Sequence, residues 1–106
     1  MDLTEKNAWG VQMILDVEKQ ANKYIEFIKT KRCSACYDSP VDADHLNTVG
    51  MGSNRKKPRA EDFSCIPLCR KCHSYRHHVG NLQFEMEHKV ELWKDAHYYL
   101  MEFLTR

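Results

Sequence analysis

No run of apolar residues in the sequence approaches the roughly 20 that a membrane-spanning helix needs. No basic n-region followed by an apolar h-region opens it. A membrane or exported protein is therefore not expected. Internal repeats and low-complexity segments are also lacking, which leaves one small folded domain over residues 1–106. That domain is short of bulk. At 106 residues and 42% hydrophobic content it buries too little apolar surface to be comfortable without a staple. Five cysteines is an odd number and argues against a disulfide framework. The reading is a reduced, cytoplasmic protein whose cysteines hold metal.

Charge is nearly balanced at +1 overall, but it is unevenly distributed. Residues 1–28 carry three Lys/Arg against five Asp/Glu, residues 29–77 carry ten against five, and residues 78–106 carry three against five. The positive charge collects in the stretch that also holds the metal-ligand residues. That pattern suits a module that meets phosphate while its flanks face water.

Thr4 to about Lys29 has apolar residues at Trp9, Met13, Val17, Ala21, Tyr24, Ile25 and Ile28, at spacings of three and four. This periodicity predicts an amphipathic helix, with Thr4 as N-cap and Gly10 weakening its first turns. Cys33-Ser-Ala-Cys36 followed by Tyr37-Asp-Ser-Pro40 reads as a knuckle and a turn. Val41 to Leu46 alternates as a short strand would, and Phe63 to Leu68 is apolar enough for a second one that Pro67 places near an edge or bend. Between them, residues 48–62 form a long loop with a basic cluster, Arg55, Lys56, Lys57 and Arg59. A helix is expected from about Cys69 to Gly80, a short one around Leu82–His88, and a longer one from about Val90 to Leu104 that packs on the first.

The two C-x-x-C pairs, Cys33/Cys36 and Cys69/Cys72, suit a closed tetrahedral structural zinc site. They lie far enough apart that the chain between them must leave the metal, form a hairpin and return. A knuckle, a hairpin and a helix that starts at the second pair make a treble clef. Cys65 belongs to neither pair and reads as a small core residue.

A second constellation follows directly in Cys72-His73-Ser74-Tyr75-Arg76-His77. On a helix His73 and His77 share a face, and His78 points about 100° away. His78, His88 and His97 read as surface or satisfied core residues. Asp44, at the end of the first strand, can add an oxygen to the two imidazoles, while adjacent His45 projects to the strand's other side. Two imidazoles, one carboxylate and open positions can accept a phosphate oxygen and a water. The chemistry this suits is phosphodiester hydrolysis with one metal, with His45 as the base because imidazole titrates near neutrality. Arg76 or the 55–59 cluster would hold a neighbouring phosphate.

At these residues the chain resembles the HNH endonucleases of the ββα-metal class, and most nearly the small HNH proteins encoded by bacteriophages. The likeness runs through Cys33-x-x-Cys36, Val41-Asp-Ala-Asp-His-Leu46, Gly50-Met-Gly52 and Ile66-Pro-Leu-Cys-Arg-Lys-Cys-His73, with His77 and Gly80, and covers roughly residues 33–80. The resemblance implies that Asp44 is a metal ligand followed by the general base His45, that the final motif histidine falls on His73, and that His77 matches the second ligand of colicin-like nuclease domains. The middle asparagine of the motif falls on Ser64, and Asp62, Asn47 or Asn54 could substitute for it, although none is in register.

The expectation is thus an α+β protein, a zinc-stapled treble-clef ββα-metal core flanked by an N-terminal helix (1–32) and C-terminal helices (81–106). It would be a DNA endonuclease with structural Zn²⁺ and catalytic Mg²⁺ or Mn²⁺, although two imidazoles also hold Zn²⁺ or Ni²⁺ tightly. If phage-encoded it would act in the host cytoplasm, alone, as a homodimer or within a larger DNA-processing complex. The competing readings are a non-catalytic zinc module that binds nucleic acid or protein through the 55–59 loop, and an interaction protein whose helical flanks dimerise. Nicking versus double-strand cleavage, and the preferred DNA sequence or structure, are not legible.

Overall fold

The computed structural model describes the backbone of residues 3–46 and 60–106, and the side chains from Asp16 onward within those ranges. The basic loop residues Arg55, Lys56, Lys57 and Arg59, together with Asn47 and Asn54, lie outside the described residues. So do the side chains of Trp9 and Met13.

Helix α1 runs Leu3–Lys29. Of its expected apolar stripe, Ala21, Tyr24 and Ile28 are fully buried. Thr30 N–H and Lys31 N–H reach back to the carbonyls of Phe27 and Ile28, and this tightened last turn ends the helix. The sheet is small. Strand β1 (Asp42–Asp44) pairs antiparallel with β2 (Ile66–Leu68), with Asp42 opposite Leu68 and Asp44 opposite Ile66. Helix α2 (Arg70–Val79) follows β2 at once, and α3 (Asn81–His88) and α4 (Leu92–Thr105) complete the chain. Mixed helix and a two-stranded sheet make this an α+β fold.

Both strands are shorter than their sequence patterns suggest. Residues Ala60–Ser64 form a 3₁₀ turn where a strand was expected to begin. The reason is local hydrogen bonding. Ser64 Oγ donates to the Glu61 carbonyl at 2.7 Å and Cys65 N–H donates to the Asp62 carbonyl at 3.2 Å, and such short-range bonds compete with a ladder.

Two apolar clusters hold the elements together. One surrounds the sheet and the start of α2, and includes Leu46, Ile66, Leu68, Phe84 and Leu92 with Cys33, Cys69 and Cys72. The other joins α1 to α4 through Tyr24, Ile28, Cys65 and Phe103. The Tyr24 and Phe103 rings meet edge to face at 5.2 Å, and the Tyr24 hydroxyl donates to the Cys65 carbonyl at 3.1 Å, so the phenol is buried with its polar end satisfied. Burial raises the Tyr24 pKa further above its ordinary value. Helix α4 buries a narrow face. Leu92, Ala96 and Phe103 are buried, while Trp93 and Leu104 are exposed.

Gly80 turns the chain between α2 and α3. Its φ of 87° and ψ of 166° belong to a region essentially reserved for glycine. Its N–H closes α2 on the Arg76 carbonyl and its carbonyl accepts the Phe84 N–H of α3. A Cβ there would meet nothing within 4 Å, so its cost is conformational alone. Gly80→Ala is expected to lower stability by about 1–3 kcal/mol, read as a shift of the thermal midpoint. A change under about 0.5 kcal/mol would mean that the backbone relaxes freely.

Candidate metal centres

The first centre is built by the turn after α1 and the start of α2. Cys33 and Cys36 sit on a tight loop in which Tyr37 N–H donates to the Cys33 carbonyl and Cys33 N–H to the Asp38 carbonyl, both at 2.9 Å. Tyr37 takes a positive φ of 67° to close it. Ser34 N–H donates to the Pro67 carbonyl at 2.9 Å, which hooks the loop onto the outer edge of β2. Pro67, which has no N–H to give, thus still ties the sheet to the cysteine turn. Cys69 is the N-cap of α2 and Cys72 lies one turn in.

The sulfurs of Cys33, Cys36, Cys69 and Cys72 all lie within 4.8 Å of one another, and those of Cys36 and Cys69 are 3.6 Å apart. Sulfurs about 2.3 Å from one tetrahedral ion lie about 3.8 Å from each other. The four cysteines therefore sit close enough to hold a structural metal ion such as zinc. Cys65 stands apart, fully buried in the α1–α4 cluster, as expected of a core residue.

The thiols influence one another strongly. Burial pushes Cys33 up, but backbone hydrogen bonds at Cys69, Cys36 and Ala35 outweigh it and bring the thiol down to about 7. The backbone at Asp38 lowers Cys36, yet burial and the Cys33 and Cys69 sulfurs dominate and push it up to about 11. Burial, then the Cys69 and Cys33 sulfurs, raises Cys72 as well. One thiolate is comfortable here and several are not, until a cation compensates them.

The second centre uses the same helix, farther along it, together with β1. Asp44 from β1 and His73 and His77 from α2 bring one ligand atom each within 4.8 Å of the others. Asp44 Oδ1 is 3.2 Å from His73 Nε2 and 3.4 Å from His77 Nε2, and the two nitrogens are 3.0 Å apart. Ligands about 2.1 Å from a shared ion at angles of roughly 90–110° are separated by about 3.0–3.4 Å. Three such donors occupy one face of a coordination sphere and leave the opposite face open.

Hydrogen bonds aim two of these donors, His73 and Asp44. His73 Nδ1 lies 2.9 Å from Asp42 Oδ2, which holds the imidazole so that Nε2 faces the centre. His77 is not aimed in this way, because Arg76 Nη2 lies 3.2 Å from His77 Nε2, the atom that would face an ion, and that contact must give way for His77 to ligate. Two imidazole nitrogens and a carboxylate oxygen at these distances repel unless a proton or a metal ion sits among them. The chemistry of the donor set thus fits a divalent cation. The centre has a buried floor and an open rim, since the Asp44 side chain is 1% exposed and that of His77 60%.

Arg76 departs from its expected role. Instead of facing outward toward phosphate it is buried, with Nε donating to Asp44 Oδ2 at 2.6 Å and Nη2 to Asp44 Oδ1 at 2.8 Å. Nη1 donates to Asn81 Oδ1 and Nη2 also reaches the His45 carbonyl at 3.2 Å. Its donors are engaged within the fold. This two-pronged grip fixes the one carboxylate of the centre and the backbone of the next residue.

His45 is not among the clustered ligand residues. Its Nε2 lies 2.6 Å from Asp62 Oδ1 in the 3₁₀ turn, and its side chain is 45% exposed. Ser64 Oγ accepts the Leu46 N–H at 3.3 Å and so pins the chain just after His45. Sequence reasoning missed Asp42 and the inward role of Arg76. Asp42 carries a readable signal, since it lies two residues before Asp44 and alternation puts both on one face of the strand.

A family model described as Protein of unknown function (DUF968) matches residues 16–101, a span that includes both centres, His45 and Asp62. The chain is also similar to an Escherichia coli (strain K12) protein described as the uncharacterized protein YdfU, with 34% identity over 70 residues. Those residues are 66% of this chain and 19% of that protein, so the match spans about a fifth of the relative's length. No solved structure matches the chain.

Proposed function

The chain belongs to the DUF968 family, and from its two candidate metal centres we propose that it is a metal-dependent DNA endonuclease of the HNH type. The observation that carries the reading is the convergence of Asp44, His73 and His77 on one point, with His45 as the next residue along the chain. The cysteine turn, the hairpin and the helix that starts at the second cysteine pair correspond to a treble clef stapled by zinc. The two centres share α2. A structural ion at Cys69 and Cys72 would anchor the start of the helix that carries His73 and His77.

In this reading Asp44, His73 and His77 hold a magnesium or manganese ion. When bound, that ion would act as a Lewis acid on the charge that builds on the phosphate and the departing 3′ oxygen. His45 takes the proton from the attacking water as the general base. Asp42 and Arg76 keep His73 and Asp44 aimed, so little reorganisation of those two is needed when substrate arrives. Arg55, Lys56, Lys57 and Arg59 would meet the DNA backbone and give binding a steep salt dependence.

The test is cleavage of supercoiled plasmid by the wild type and by His45→Ala, with magnesium, manganese, zinc or a chelator added. The expected result is metal-dependent conversion to open-circle or linear DNA, with a loss of about 10²–10⁴-fold in His45→Ala and no change in fold. A folded, metal-loaded wild type that cuts nothing in any of these metals would instead support a zinc module that binds DNA or protein without cleaving it.

A further inference from the structure

The HNH resemblance leaves the base without its usual partner, because the asparagine position is Ser64. The structure supplies a different one. Asp62 Oδ1 lies 2.6 Å from His45 Nε2, and the Asp62 side chain is 8% exposed while that of His45 is 45%. A short contact between a nearly buried carboxylate and a half-exposed imidazole is the arrangement that orients a ring without removing it from solvent. A carboxylate oxygen accepts, so Nε2 carries the hydrogen, and in the neutral imidazole the lone pair then lies on Nδ1.

The rest of the turn reinforces the grip. Ser64 holds the Leu46 N–H and is itself anchored on the Glu61 carbonyl, while Arg76 donates to the His45 carbonyl from the other side. The backbone at His45 is thus fixed at its carbonyl and at the following amide, and Asp62 fixes the ring. The histidine also borders a groove of about 300 Å³ between α1 and β1, together with Ile25, Lys29, Ala43 and Asp62. Solvent therefore reaches the imidazole.

The geometry points to Asp62 as the positioning residue of His45, holding the imidazole by its Nε2–H so that Nδ1 is the free proton acceptor. Ser64 and Asp62 then divide between them the work of one motif asparagine. Ser64 pins the loop, and Asp62, two residues earlier and on the same 3₁₀ turn, aims the base. The catalytic consequence rests on the nuclease reading, whereas the His45–Asp62 pair itself does not.

Two readouts on the zinc-loaded full chain separate the two. In ¹H–¹⁵N spectra near pH 8, with His45 assigned by its absence in His45→Ala, the wild type should show a slowly exchanging, downfield Nε2–H. That proton should disappear in Asp62→Ala and return in Asp62→Asn, whose amide oxygen still accepts. Its absence from the wild type would overturn the proposal, whatever the enzyme does.

In the cleavage assay Asp62→Ala should lower kcat by about 10–100-fold with KM within about twofold, and Asp62→Asn should recover most of the loss. Equal losses in both variants, or a change in KM alone, would reduce Asp62 to a structural residue. If Asp62→Ala fails to fold, the comparison of Asp62→Asn with the wild type carries the same test. In that case the Nε2–H persists and kcat falls by less than about 10-fold if Asp62 acts as a positioning residue. Loss of the Nε2–H signal from a folded Asp62→Asn would overturn it. A wild type that never cleaves would remove the nuclease reading and leave the spectroscopic result to decide the pair.

Discussion

Arg76→Ala is expected to cost about 3–5 kcal/mol, because it leaves the Asp44 carboxylate buried with its principal counter-charge gone. In a chain of 106 residues that is a fall of roughly 15 °C or more in the thermal midpoint. Arg76→Lys should be intermediate, since an ammonium cannot reach both carboxylate oxygens, the His45 carbonyl and Asn81 together. The double variant Arg76→Ala with Asp44→Asn should recover part of the loss, because removing both partners avoids the unpaired charge. Denaturant or thermal unfolding followed by circular dichroism checks all three. If Arg76→Ala lies within about 0.5 kcal/mol of the wild type, the guanidinium is a surface group after all and the phosphate role expected from the sequence returns.

Removing the metal from the four-cysteine centre should have the larger effect still. Binding of zinc to small four-ligand sites is worth about 10–16 kcal/mol near neutral pH, and where the core is small most of that is folding energy. Here three of the four cysteines, Cys33, Cys69 and Cys72, sit in the same apolar cluster as Leu68, Phe84 and Leu92. Without a cation the thiols crowd one another where the β hairpin, α2 and α4 meet.

A strong chelator should therefore release one zinc per chain and abolish the cooperative melt, and Cys72→Ser should do the same without a chelator. The pH dependence has a definite sign. A metal needs thiolates, while Cys36 is pushed up to about 11 and Cys72 is raised too, so protons leave as the metal enters. Affinity should rise with pH, and acid should release the ion together with the fold. A chain that keeps its melt after complete metal removal would mark the four as ordinary buried cysteines.

Much of the fold was legible because its signals are local. The 3.6-residue period of α1, the Gly80 stop of α2 and the paired C-x-x-C spacing each depend on a few neighbouring residues, and each appears in the structure within a residue or two. The strands were overestimated because period-two alternation extends beyond the residues that find a ladder partner. Ser64 and Asp62 spend their hydrogen bonds within the 3₁₀ turn or on the residues around His45.

The donor residues of both candidate metal centres were named from the sequence itself, through the paired C-x-x-C spacing, the helical spacing of His73 and His77, and Asp44 at the strand end. Only the tertiary structure decided that Arg76 turns inward to grip Asp44 and that Asp62 reaches His45. Those contacts join residues 32 and 17 positions apart, and they depend on how α2 and the 3₁₀ turn pack around a two-stranded sheet. Sequence patterning shows which face a side chain occupies. Which distant partner waits on that face is set by packing, where a carboxylate leaving water takes the nearest donor able to replace its hydration.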